Sequence, residues 1–145
     1  MKNLLTSLLC LAAFTAWGQT DILDARTNYS VGQTVTVTGI ITSDGNLGIV
    51  RYLQDATAGI ALYPGGQWTQ NGWPDPQPGD ELTMTGALSE YNGLLEVGPD
   101  GITDVTVLST GNELPAFQTI TPNDMDESME GELAYIPDVV FTNGG

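Results

Sequence analysis

The sequence contains no histidine, a single cysteine, and only three cations (Lys2, Arg26 and Arg51) against 18 Asp and Glu, for a formal charge of −15 over 145 residues. Each shortage removes chemistry. Ser-His-Asp catalysis and zinc sites built from His or Cys lack their parts, and the one Lys sits too near the N-terminus to serve a P-loop. No Asp-Thr-Gly or Asp-Ser-Gly segment points to an aspartic protease. Paired carboxylates can hydrolyse glycosides only when they flank a cleft, which a small barrel rarely supplies. Polyanion binding rests on neutralising phosphates with Lys and Arg, so unaided affinity for DNA or RNA is expected to be poor.

Long apolar runs are also scarce. The one present follows Lys2 through Leu4, Leu5, Leu8, Leu9, Leu11, Ala12, Ala13 and Phe14. It is shorter than the ~20 residues a membrane helix needs. With Ala16 and Gly18 as small residues ahead of Gln19, residues 1–18 read as a cleavable secretory signal. Leu9 stands before Cys10 where a lipid-attachment signal wants a small residue. Cleavage would remove the only Lys and the only Cys, leaving a secreted chain, extracellular or at the cell surface, with no thiol, no disulfide and no membrane span.

The full chain is rich in Gly (18) and Pro (8), nearly all of them beyond the signal, with Thr, Val, Ile and Leu in short alternating runs. That texture is an all-β domain. Thr20 is placed to cap a short helix over Asp21 to Arg26, with Ile22, Leu23 and Ala25 on one side, as a plug or lid on a barrel end. Thr34 to Ile41 alternates with Val35, Val37 and Ile41 on one face, and Gly39 suggests a bend. Strands are expected over Ile49 to Gln54, Ile60 to Tyr63, Glu81 to Leu88, Leu94 to Val97 and Val105 to Leu108, with a hairpin turn at Tyr91-Asn92-Gly93. Residues 64–79 hold four Pro, four Gly, Trp68 and Trp73, and read as a long loop. Thr121-Pro122 starts a short helix that Gly131 stops, and a last strand spans Leu133 to Phe141.

Gly32 to Gly39 lies over Gly79 to Gly86 at an offset of 47, each segment entered through one Gly and ending on another. Two long bent strands in equivalent positions, among five or six in roughly 90 residues, suit a small Greek-key barrel.

Several short motifs occur in order: Val35 to Thr42, Tyr52-Leu53-Gln54-Asp55, Gly59 to Tyr63, Pro78-Gly79-Asp80, Leu88 to Glu96, Leu114-Pro115, and Met129 to Leu133. Together they resemble the OB-fold-like modules of secreted bacterial multidomain proteins, especially the non-catalytic N-terminal region of extracellular nucleases. The resemblance covers about residues 20 to 141. It implies an OB-like barrel accompanying a metal-dependent phosphoesterase domain, or other modules, of the same exported protein. The catalytic domain itself has no place in a chain without His, and the chain stops at Gly145 just after a strand, as a piece of a longer protein would. The expected organisation is a signal over 1–18, an OB-like β-barrel over 19–110, and a linker, short helix and strand over 111–145.

Three functions are open on the residues. The first is a non-catalytic binding module that touches nucleic acid or another extracellular polymer with weak affinity. The second is the N-terminal piece of a secreted nuclease or phosphoesterase, and the third is a carbohydrate-binding module using Trp68 and Trp73. Ligands of such barrels lie across the second and third strands and the adjoining loops, so Tyr52, Tyr63, Trp68, Trp73 and Tyr91 are candidates to stack on bases or sugars. The same residues could instead cover the barrel, with the tryptophans closing the long loop over its mouth. Strand parity turns Arg51 inward beside Leu53, a costly place for an unpaired guanidinium, so either a bulge shifts the register or Arg51 sits at the rim with a carboxylate partner, a ligand clamp being the functional alternative. No cofactor is required, but calcium takes six to eight oxygen ligands, and the turns holding Asp44, Asn46, Asp124, Asp126 and Glu127 are oxygen-rich.

Overall fold

A computed structural model describes residues 18–140. The expected signal segment lies outside the described residues, apart from its last position. Helix α1 (Ile22–Asn28) is followed by β1 (Thr34–Ile41), β2 (Arg51–Gln54), β3 (Gly59–Leu62), β4 (Glu81–Tyr91), β5 (Leu94–Val97) and β6 (Asp104–Ser109). A small second ladder, β7 (Gln118–Thr119) and β8 (Ala134–Tyr135), comes after.

The barrel closes because two strands are long enough to serve two neighbours each. β1 runs antiparallel to β4 from Thr34 opposite Ala87 to Ile40 opposite Glu81, then pairs its end with β2. β2 pairs antiparallel with β3, β3 runs parallel to β5, and β5 returns antiparallel to β4. The order β1-β2-β3-β5-β4 thus returns to β1, and β6 lines the first half of β4. This is the all-β, OB-like barrel that the alternating runs predict, with one short helix before it.

The two segments at the offset of 47 are antiparallel neighbours. Their outward threonines meet in pairs, Thr36 with Thr85 at 2.8 Å and Thr38 with Thr83 at 2.6 Å between hydroxyls. Their inward residues Val35, Val37, Leu82, Met84 and Leu88 are buried with Ile41, Leu53, Ile60, Leu62 and Val97. Gly39 is where β1 leaves β4 for β2, and a Cβ there would stand 2.5 Å from the Gln54 carbonyl oxygen. Only a residue without a side chain lets the strands cross so closely.

Helix α1 plugs one end through Ile22 and Ala25, both fully buried. The expected face is narrower than the sequence implied, since Leu23 is 49% exposed. The cap also differs. Asp21, not Thr20, holds the N-cap position and its side chain makes no capping bond. The orphan amides find partners across space, Ile22 N–H donating to Asp55 Oδ2 (2.9 Å) and Leu23 N–H to Thr57 Oγ1 (3.1 Å) in the β2–β3 turn. Asp55 also accepts from the Thr57 N–H and hydroxyl and from the Ala58 N–H. Burial alone would raise the Asp55 pKa, but these bonds outweigh it and hold the carboxyl below its ordinary value.

Asp55→Ala is therefore expected to cost about 1–3 kcal/mol at neutral pH by undoing a turn and a helix start together. A carboxyl with a lowered folded pKa contributes stability above its unfolded value that is lost as pH falls through the folded one. The gap between wild type and variant in urea unfolding should accordingly shrink below the ordinary value of 3.8. A gap that persists in acid would mean that Asp55 acts by packing.

Two expectations after the barrel are corrected. In place of one short helix there are two separate single turns of 3-10 helix, Pro122–Asp124 and Glu127–Met129. The strand expected over Leu133 to Phe141 is reduced to Ala134–Tyr135, paired parallel with β7, and Phe141 lies outside the described residues. Pro137 offers no amide for a ladder, and Asp138 takes a left-handed φ of 55°, which turns the chain out of extension. β2 also begins at Arg51 rather than Ile49, and β3 ends at Leu62 rather than Tyr63.

Candidate functional site

The outer face of β2, β3 and β5 is where the sequence places a ligand. Register sets Tyr52 opposite Ala61, Ala61 beside Glu96, and Glu96 opposite Ser89 in one row across the sheet. All four turn away from the barrel interior, yet Ala61 and Glu96 are buried.

The segment after the barrel lies against one end of this sheet. Gly131 lies on Gly59 so closely that a Cβ on Gly59 would be 2.2 Å from the Gly131 carbonyl. Leu133 N–H donates to Gln54 Oε1 (3.0 Å) and Leu95 N–H to Glu130 Oε2 (3.4 Å). Arg26 staples the segment from α1, donating to the carbonyls of Gly59 (2.6 Å), Glu130 (2.5 Å) and Glu127 (2.7 Å). Its guanidinium also stands 3.7 Å from the Glu130 carboxylate.

Two clefts remain on this face, with Leu94 lining both. One of about 310 Å³ is lined by Val50, Tyr63, Tyr91, Leu94 and Glu96. The other, of about 400 Å³, lies between Tyr52, Leu47 and the β1–β2 loop on one side and Glu130 to Leu133 on the other. Tyr91 stands at the rim of the first, 68% exposed, just ahead of the hairpin turn at Asn92 and Gly93 (φ 54° and 94°).

Glu96 is 5% exposed. Its Oε1 lies 3.0 Å from the Ser89 hydroxyl, which also approaches the Gly98 carbonyl, so one hydroxyl proton faces two acceptors. Burial pushes the Glu96 pKa up, and the Ser89 contact offsets this only in part.

The sequence candidates separate into surface and interior. Tyr63 and Tyr91 share the first cleft and Tyr52 lines the second. Trp68 is inside the core at 2% exposure, its indole N–H donating to the Ile49 carbonyl (2.7 Å), and Trp73 is half-buried against the same core. Arg51 is 3% exposed and its donors are spent within the protein. Nε reaches the Pro76 carbonyl (3.0 Å), Nη1 the carbonyls of Gly48 (2.8 Å) and Val50 (3.1 Å), and Nη2 the Asp75 carboxylate (2.6 Å). Of the arrangements open to Arg51, the structure shows the carboxylate partner.

The oxygen-rich residues fall in three separate turns. Asp44 accepts from the Asn46 N–H and side-chain amide, Asp124 from the Thr121 N–H and hydroxyl, and Asp126 from the Ser128 N–H and hydroxyl. Those hydroxyl and amide bonds hold Asp124 and Asp126 below the ordinary carboxylate range. Glu127 lies in the turn that Asp126 caps, and its carbonyl accepts from Arg26. Among the described residues no three acidic, His or Cys side chains converge as a metal site.

Glu96, Leu94 and Val50 were not among the residues singled out from sequence. The signal available was strand alternation, which puts Leu94 and Glu96 on the outward face of β5, but only tertiary packing makes that face concave.

No family model matches the chain. Endonuclease YhcR of Bacillus subtilis (strain 168) is 30% identical over 106 residues, which make up 70% of this chain and 8% of that protein. The chain is similar to a module-sized stretch of a larger nuclease. The resemblance read from the ordered motifs therefore holds. Among solved structures, that of the hypothetical protein ygiW from E. coli aligns with a TM-score of 0.47 at 17% identity, covering 63% of this chain and 90% of that one. Among the described residues no helix is long and apolar enough to cross a membrane.

Proposed function

We propose that this chain is a non-catalytic binding module of an exported, nuclease-related multidomain protein. The observation that carries this reading is the extent of the match, 70% of this chain against 8% of an endonuclease. A segment of that size, in a chain that lacks His, supplies a barrel rather than a reaction centre. Residues 1–18 would be the leader that exports it.

The working face is the outer side of β2, β3 and β5, with Tyr52, Tyr63 and Tyr91 offering ring surfaces to a polymer. Contact through phosphates is disfavoured because Arg26 and Arg51, the only cations among the described residues, are both engaged internally. Nucleic acid would be held by stacking, worth about 1–3 kcal/mol per base, and weakly. A sugar platform built on Trp68 has no exposed ring to offer.

The purified chain should leave supercoiled and single-stranded DNA intact with magnesium, manganese or calcium. Titration with single-stranded oligonucleotides or neutral polysaccharides should perturb Tyr52, Tyr63 and Tyr91. Metal-dependent cleavage by a contamination-checked preparation would overturn the non-catalytic reading, and silence at all three tyrosines would overturn the choice of face.

A further inference from the structure

The cleft between Tyr63 and Tyr91 combines features that a generic polymer platform does not need. Its walls are apolar and aromatic, from Val50, Leu94 and the two tyrosines, and its one charged lining residue is Glu96. Glu96 Oε1 is taken by Ser89, while Oε2 accepts no hydrogen bond among the described residues. It is not a buried orphan either, because among the described residues every fully enclosed side-chain polar atom has a partner. The free oxygen is therefore not fully enclosed, and the cleft is the one that Glu96 lines. No cation within the described chain neutralises it, since Arg26 is bound to α1's neighbours and Arg51 to Asp75 and three carbonyls.

We propose that this cleft binds an alkylammonium group, primary or quaternary, seated between the faces of Tyr63 and Tyr91 with the Glu96 carboxylate beneath it. The proposal rests on the same face as the function above and names a chemical class for its ligand. An aromatic wall attracts a cation through the ring quadrupole, and most strongly where water is displaced. The carboxylate adds a charge-assisted partner in the same low-dielectric site. A phosphate or carboxylate ligand would meet Glu96 head-on, and a formal charge of −15 on the chain repels anions further. Burial raises the Glu96 pKa, and an incoming cation relieves that cost by pairing with the ionised form. Tyr91 lines the cleft from just before the two-residue turn and keeps most of its ring exposed for contact with a ligand.

The test is an amide NMR titration of the chain with choline, with n-butylammonium, and with the uncharged alcohol in which carbon replaces the choline nitrogen. Sodium chloride at equal ionic strength serves as the control. At least one ammonium should shift Tyr63, Leu94 and Glu96, with affinity about tenfold above that of the alcohol. Tighter binding of choline assigns the quaternary class and tighter binding of n-butylammonium the primary one. Glu96→Gln should reduce the preference over the alcohol without lowering the melting temperature. A carboxyl with a raised folded pKa costs stability once it ionises, above its ordinary value of 4.5, so the neutral amide does not pay that cost at pH 7. Tyr91→Ala should weaken ammonium binding while leaving the melt unchanged.

Equal affinity for the alcohol, an undiminished preference in Glu96→Gln, or identical shifts with sodium chloride would each overturn the proposal. Ammonium binding with no response to oligonucleotide or polysaccharide would sustain it and reject the polymer reading. Tyrosine shifts by polymer without an ammonium preference would do the reverse.

Discussion

Trp68→Ala is expected to lower the unfolding free energy by about 3–5 kcal/mol. The indole is among the largest fully buried side chains of the barrel, packed with Ile22, Ile41, Leu53 and Leu62 in one core, although it comes from the Pro- and Gly-rich loop and not from a strand. Its removal opens a cavity and leaves the Ile49 carbonyl without its donor. Because a small domain has only about 5–15 kcal/mol in reserve, a loss of this size should bring a large fall in the midpoint of thermal unfolding. Trp68→Phe would retain most of the volume and forfeit the N–H bond, at a cost nearer 1 kcal/mol. Unchanged melting of Trp68→Ala, with binding at the tyrosine face lost instead, would place the indole at the ligand and not in the core.

Arg51→Ala should produce the second large loss, about 3 kcal/mol, and should release the same loop. The guanidinium is the hub on which three chain segments converge: the β1–β2 loop at Gly48 and Val50, its own strand β2, and the long loop at Asp75 and Pro76. Without it, three carbonyls lose their donor, the Pro76 carbonyl in a buried position. Asp75→Asn should cost much less, since the Asp75 side chain is 48% exposed and Arg51 would keep its carbonyl partners. Urea unfolding of both variants, with limited proteolysis between residues 64 and 79, separates the two effects. Arg51→Ala as stable as wild type, with the loop still protected, would show that Trp68 alone seats the loop.

Both residues show how far the sequence could be read. Trp68 stood out as an aromatic in a loop, which suits a ligand platform or a plug equally well, and nothing local decides between them. Arg51 was more legible. Its parity with Leu53 in β2 required an inward guanidinium, and an inward guanidinium requires a partner, so pairing was foreseeable although Asp75 as that partner was not. Tyr52 and Tyr63 were legible as outward residues because alternation is a local property, and Tyr91 because it borders a hairpin turn. Glu96 was not singled out, although it alternates in the same way. Acidic residues are common in this chain, and only the packing around β5 makes this one buried.

The sequence by itself determined the six barrel strands, their inward and outward faces, the close crossing at Gly39, and the exclusion of chemistry that needs the missing residue types. These follow from short-range rules: a period of two, the freedom of glycine, and the need for particular side chains. The tertiary structure alone decided that the two similar segments pair with each other, that α1 is capped by Asp55 from another turn, and that residues 127–133 lie across one end of the tyrosine face. Each of these joins residues about 30 to 100 positions apart. Such contacts form because a closed barrel fixes which surfaces meet, and a single sequence carries no record of that until the strands have paired.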